Sequence, residues 1–150
     1  VIPHAVRRAE PSDLETLLVL CAEHAAFERV YFDSSGKLEL LKDAIFGNAK
    51  KLNAWVAVVG DHLAGYATAT VDFSTWNAAP FLYMDCLYVR ATHRNAGMGL
   101  RLFDAVRGFA KEKNIREIQW QTPAWNTDAC RFYRRNGGTD LPKIRFSARV

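Results

Sequence analysis

Between residues 81 and 122 the chain changes character three times. Residues 81–89 (FLYMDCLYV) form a nearly continuous apolar run of strand length, and residues 90–96 (RATHRNA) are polar. Gly97-Met98-Gly99 then opens a stretch in which Leu100, Phe103, Val106, Phe109 and Ala110 recur at helical spacing as far as about residue 113. Residues 115–122 are again strand-like. A strand, a helix and a strand in this order make a crossover, which sets two strands side by side and parallel. The first turn of the helix also has chemical content. Its leading N–H groups have no acceptor within the helix, and they carry a partial positive charge. Glycines there let a bulky anion come close to the backbone, and Arg94 adds a full charge.

Two common phosphate loops do not fit. No Gly-Lys-Ser/Thr follows, so this is not a Walker loop. The third glycine of a dinucleotide fingerprint is missing, as is the acidic residue ending the next strand. Taken alone, Gly97-x-Gly99 reads equally well as a tight turn.

The flanking segments complete the outline. Val6-Arg7-Arg8 reads as a first strand. Ser12-Asp13-Leu14-Glu15 has the capping-box pattern that opens a helix, and Leu14, Leu17, Leu18, Cys21, Ala22 and Ala25 follow as its core stripe. Residues 28–36 read as a loop. Residues 37–46 read as a second helix, with Leu38, Leu41 and Ile45 inward. Residues 54–59 and 62–71 flank Gly60-Asp61 as a hairpin with Gly65 inside it, and residues 73–80 read as a long loop carrying Trp76. Asn126 or Thr127 caps a short helix that Gly137 ends, and residues 143–149 read as a last strand. The expected class is α/β (α+β). A mixed, mostly antiparallel sheet of about six to seven strands carries helices on both faces, in one domain covering residues 1–150.

Composition narrows the function classes. Apolar residues at 49% and charged residues at 24% suit a globular domain. No apolar run reaches the roughly 18 residues of a membrane span, and residues 1–10 lack the apolar block of a secretory signal. Cys21, Cys86 and Cys130 are an odd, dispersed set, which favours a reducing, cytoplasmic setting over a disulfide framework. His4, His24, His62 and His93 stand at no zinc-ligand spacing, so no metal is expected. The net charge of +4 reads as a basic solvated surface or as a patch for a phosphorylated cofactor. No long Lys/Arg run points to nucleic acid.

The wider pattern around the glycines is more specific. Arg94-x-x-Gly97-x-Gly99, placed after a strand ending in Val89, resembles the acetyl-CoA motif of the GNAT superfamily of N-acetyltransferases. Downstream, Trp125-Asn126-Thr127-Asp128-Ala129-Cys130-Arg131-Phe132-Tyr133-Arg134-Arg135-Asn136-Gly137-Gly138 is similar to that family's W-N-x-x-A-x-x-F-Y-x-x-x-G-A signature, with Gly138 in place of the final alanine. Ser74-Thr75-Trp76 and Leu82-Tyr83-Met84-Asp85-Cys86-Leu87-Tyr88-Val89 resemble the S-T-W and L-Y-L-E-D-L-Y-V runs of its spermidine/spermine (diamine) branch. So does the Phe27-Glu28 region leading to Ile45-Phe46-Gly47. Asp85-Cys86 replaces that branch's Glu-Asp pair, which removes one carboxylate and shortens the other.

The resemblance implies an acetyl-CoA-dependent transfer of acetyl directly to a primary amine, without an acyl-enzyme. It implies a cofactor site formed by Leu87, Tyr88, Val89, Arg94, Asn95, Ala96, Gly97, Met98, Gly99, Leu100, Asn126, Asp128, Ala129 and Tyr133. Asn126 reads independently as a helix cap, and Tyr133 reads independently as a core aromatic. As the family's general acid, Tyr133 is expected to protonate the departing thiolate. Asp85, Glu28 and Trp76 are the expected substrate-binding residues. Direct proton abstraction from an alkylammonium by a carboxylate is uphill by several pK units, so binding the cation is the better role for Asp85. The implied acceptor is a small-molecule amine and the implied assembly a homodimer. A protein-lysine or N-terminal acetyltransferase and a non-catalytic CoA-binding module are the alternatives. The 73–80 loop favours a closed small-molecule site.

Overall fold

The computed structural model describes residues 2–150. In chain order the elements are β1 (His4–Arg8), α1 (Leu14–Phe27), α2 (Lys37–Phe46), β2 (Asn53–Val59), β3 (His62–Ser74), β4 (Ala79–Val89), α3 (Met98–Glu112), β5 (Ile118–Trp120) and α4 (Thr127–Arg135). Five strands form one sheet in the order β1-β2-β3-β4-β5, antiparallel throughout except for the parallel pair β4–β5. The sheet is therefore smaller than the six to seven strands expected, but of the expected mixed kind.

Strand alternation sorts the core into two layers. Trp55, Ala57, Ala67, Ala69, Leu82 and Met84 face α3, whose stripe of Met98, Leu102, Phe103, Val106, Phe109 and Ala110 is buried against them. Ala54, Val56, Leu63 and Tyr66 face the other way, under Leu14, Leu17 and Leu20 of α1 and Ile45 of α2. A side chain at 65 is excluded, because a Cβ on Gly65 would stand 2.4 Å from the Tyr88 carbonyl oxygen. β3 thus lies hard against the end of β4.

Three local expectations change. The Ser12–Glu15 box does not form. Instead a single 3-10 turn over Pro11–Asp13 precedes α1, and Asp13 accepts from the Glu10 N–H at 2.7 Å and from Arg7 at 2.6 and 3.0 Å. α1 ends at Phe27 and residues 28–36 form the expected loop, with Glu28 as the C-terminal cap of the helix. The 73–80 loop is a continuation of the β3–β4 hairpin, paired out to Ser74–Ala79, with a turn of only four residues. Its support for a closed site falls with it. Residues 143–149 alternate as a strand should but join no ladder among the described residues, and Ile144 and Phe146 are exposed.

Candidate active site

β4 and β5 pair over three residues, Leu82–Ile118, Tyr83–Gln119 and Met84–Trp120. β5 then ends, while β4 continues to Val89 held by β3 alone. The two strands therefore part at Asp85, leaving a wedge along one edge of residues 85–89. At the same place β4 bulges. Ala69 lies opposite Met84 and Thr68 opposite Cys86, so Asp85 is the extra residue. The bulge changes the phase of the alternation. Leu82 and Met84 face α3 before it, and Leu87 and Val89 do so after it. Cys86 and Tyr88 turn toward α1.

The wedge opens at the start of α3. A 3-10 turn over Ala91–His93 leads into a loop where Asn95 and Gly97 are left-handed, with φ of 64° and 77°. Residues of alternating hand turn successive N–H groups into one concavity. The first helical hydrogen bond runs from the Arg101 N–H to the Gly97 carbonyl, so the N–H groups of Met98, Gly99 and Leu100 have no acceptor in the helix, and no side chain caps it. Arg94 donates from Nε to the Val89 carbonyl at 2.9 Å, and its guanidinium lies 4.6 Å over the Phe27 ring. Donors, helix charge and a guanidinium thus converge where the strand gives way to the helix, an arrangement suited to a diphosphate. Ala96 is exposed in the same loop.

On the far side of the wedge, Asn126 caps α4 by accepting from the Ala129 N–H at 3.3 Å. Asp128 pairs with Arg131 at the surface. Arg107 of α3 donates to the Asn136 carbonyl and anchors the end of α4. A Cβ at Gly138 would stand 2.9 Å from the Trp120 ring and 3.0 Å from the Tyr133 carbonyl, so glycine suits this position better than the family's alanine. Tyr133 is half-buried among Phe103, Trp120 and Phe132, with centroids 6.0, 5.2 and 5.2 Å away. Its hydroxyl makes no hydrogen bond among the described residues. Burial pushes the phenol up, and the negative charge of Glu28 adds to the shift. It therefore keeps its proton through neutral and moderately alkaline pH. Burial also pushes the Cys86 thiol up to about 12, so Cys86 is not a thiolate nucleophile at neutral pH.

The end of α1 closes the third side. Arg90 clasps Glu23 at 2.9 and 3.0 Å, fixing α1 over the end of β4. Phe27 sits between Tyr88 and Trp125, with centroids 6.5 and 6.0 Å away. Glu28 Oε2 stands 2.5 Å from His24 Nε2, one turn back. Asp85 is exposed at the bulge, and its charge reaches His24.

The structure therefore gathers Leu87, Tyr88, Val89, Arg94, the 95–100 turn, Asp85, Glu28 and Tyr133 around one wedge. Trp76 is not brought to it. That side chain stands 95% exposed at the hairpin tip. Sequence reasoning missed His24 and Phe27. The available signal was the i,i+4 spacing of His24 and Glu28 across the end of α1.

Comparisons with known proteins agree with this geometry. The profile described as the Acetyltransferase (GNAT) family matches residues 15–138. A thialysine N-epsilon-acetyltransferase of Caenorhabditis elegans is 28% identical over 123 residues, which are 82% of this chain and 75% of that one. The Bos taurus protein of the same name is 25% identical over 144 residues, 91% of this chain and 84% of that one. Among solved structures, an aminoglycoside acetyltransferase from an uncultured soil metagenomic sample superposes with a TM-score of 0.83 at 22% identity, covering 98% of this chain and 96% of that one. An aminoglycoside N-acetyltransferase in complex with CoA gives 0.81 at 18% identity, covering 99% and 96%. At these identities the structural likeness establishes the fold. No helix among the described residues is long and apolar enough to cross a membrane, and no cluster of three or more potential metal ligands occurs among them.

Proposed function

This chain belongs to the GNAT family of acetyltransferases and is an acetyl-CoA-dependent N-acetyltransferase, and from that premise we propose that it acetylates a primary amine of a small cationic molecule: a diamine, a polyamine or an amino acid such as thialysine or lysine. The observation that carries the reading is the parting of β4 and β5 at Asp85, directly beside the uncapped start of α3 and between two carboxylates, Asp85 and Glu28. The relatives named for thialysine support the amino-acid end of this range.

In this reading the backbone of residues 95–100 and Arg94 hold the diphosphate, and the open edge of Leu87, Tyr88 and Val89 aligns the pantetheine and the acetyl carbonyl. Asn126, Asp128 and Ala129 border the same channel. Asp85 and Glu28 hold the ammonium form of the amine before it gives up its proton. The amine nitrogen then attacks the acetyl carbon, the carbon–sulfur bond breaks, and Tyr133 passes its proton to the leaving sulfur.

The assembly belongs to the same proposal. Ile144 and Phe146 stand exposed in an alternating segment without a ladder, and Val71, Phe73 and Trp76 are exposed on the β3–β4 hairpin. β5 pairs on one edge only. A free edge and an exposed apolar segment in one chain support a homodimer in which the 143–150 segment packs on a second copy.

The direct test is thiol release from acetyl-CoA with thialysine, lysine, 1,3-diaminopropane, spermidine and an aminoglycoside. Saturable release with at least one of the first four is expected. Release with none of them, from folded protein that binds CoA, overturns the acceptor assignment.

A further inference from the structure

His24 lies in a polar pocket between α1 and the sheet that none of the expected site residues accounts for. The ring is 12% exposed, stacks on Tyr88 with centroids 5.1 Å apart, and meets Tyr66 edge-on at 5.7 Å. Both nitrogens are engaged: Nδ1 is 2.8 Å from the Tyr66 hydroxyl, and Nε2 is 2.5 Å from Glu28 Oε2. Tyr66 is 1% exposed, and burial raises its phenol far above the ordinary value, so it remains a proton donor. A hydroxyl donating into Nδ1 leaves the ring proton on Nε2, which then donates to the carboxylate. The chain Tyr66–His24–Glu28 therefore has one consistent direction of donation.

We propose that His24 is the positioning residue of the amine site, holding the Glu28 carboxylate aimed into the wedge as the anchor for the acceptor's ammonium. This deepens the amine-acetyltransferase reading and rests on it. A free glutamate at a helix end samples several rotamers, and His24 removes that freedom by fixing one oxygen and leaving the other for the substrate. The same contact makes the anchor sensitive to pH. The groups that face His24 are Glu28, Asp85 and Arg94, with the Tyr66 hydroxyl against Nδ1. Burial lowers the imidazole below its ordinary 6.5, against the opposing pull of Glu28 and Asp85. Above that titration the pair carries the single negative charge of Glu28. Below it, the imidazolium cancels the charge and the pair loses its hold on a cation.

The test compares His24→Leu, His24→Gln and Glu28→Gln in the full chain with a cationic acceptor from the panel. Glutamine keeps an N–H where Nε2 stands. His24→Leu and Glu28→Gln should each raise the amine KM by about tenfold, with kcat at saturating amine and the acetyl-CoA KM held within about twofold. His24→Gln should restore most of the loss. In the wild type the amine KM should rise as pH falls below 6.5, and this rise should vanish in His24→Gln. Equal amine KM in all four proteins overturns the proposal, and so does a joint loss of kcat and acetyl-CoA affinity in His24→Leu. Nitrogen NMR of the imidazole is independent of any acceptor. It should show the Nε2–H tautomer with a midpoint below 6.5. The Nδ1–H tautomer overturns the proposal even if no acceptor is found, whereas silence across the amine panel overturns only the acceptor assignment.

Discussion

Tyr133→Phe isolates the chemical step from the fold. The change keeps the ring that packs on Phe103, Trp120 and Phe132, and it deletes a hydroxyl without a hydrogen-bond partner among the described residues. No buried partner is orphaned, so the stability cost should stay under about 1 kcal/mol. The catalytic cost is set by what the phenol does. If the hydroxyl protonates the leaving sulfur, kcat should fall by about 10²-fold, equivalent to about 2.7 kcal/mol of barrier. CoA affinity should stay within about twofold, because the wedge and the helix start are untouched. The pH dependence follows from the direction of the shift. Burial and the charge of Glu28 raise this phenol above 10, so the wild-type donor stays protonated while the amine is increasingly deprotonated. The wild-type kcat should therefore show no alkaline decline below about pH 10. The assay is steady-state thiol release at saturating acetyl-CoA and amine across pH 6–10, with a melting curve for each protein. A folded mutant with near-normal kcat across this range refutes the general-acid role and makes Tyr133 a packing residue.

Gly99→Asp should weaken CoA binding at least tenfold by calorimetry without loss of stability. The new Cβ would meet Phe132 at an ordinary 3.6 Å, and an acid in the first helical turn favours the helix itself; unchanged affinity refutes the diphosphate assignment. Asp85→Asn should raise the KM for a cationic amine severalfold and leave the acetyl-CoA KM alone, whereas a flat amine KM would make the bulge residue structural. Asp13→Ala removes the acceptor of two Arg7 contacts and of the Glu10 N–H, and should cost about 2 kcal/mol in denaturant unfolding. Arg7 holds the Asp13 carboxyl below its ordinary 3.8, so this stabilisation is present above that pH and is lost as pH falls through the lowered value. A mutant as stable as the wild type at pH 7 would show the pair to be idle. Phe146→Asp, which puts a charge on the free apolar segment, should convert a dimer to a monomer of 16.9 kDa in sedimentation at micromolar concentration, and a wild type that sediments only as monomer contradicts the assembly.

What the sequence settled by itself was local. The Gly97-x-Gly99 helix start, the bounds of α2 and the Asn126 cap depend on neighbours within four residues, and each formed where the pattern put it, while the α3 stripe formed with Leu102 in place of Leu100. The same reasoning failed at Ser12, where Asp13 found stronger donors in Arg7 and Glu10 than a hydroxyl box offers. It also failed at residues 73–80, where polar spacing concealed a hairpin that pairing across strands sustains. The strand pattern of residues 143–149 is plain in the sequence, yet a pattern specifies a face and not the neighbour that will cover it. The site's defining features were decided by tertiary structure. β4 and β5 part because β5 stops at Trp120, and Asp85 bulges because Ala69 and Thr68 on β3 set the register. His24 acquires a role because β3 places Tyr66 beneath it and the end of α1 presents Glu28 one turn on. The contact of His24 with Tyr66, distant in sequence, leaves no periodic trace along the chain, so only the packed sheet adds the phenol to the histidine and carboxylate of one helix end.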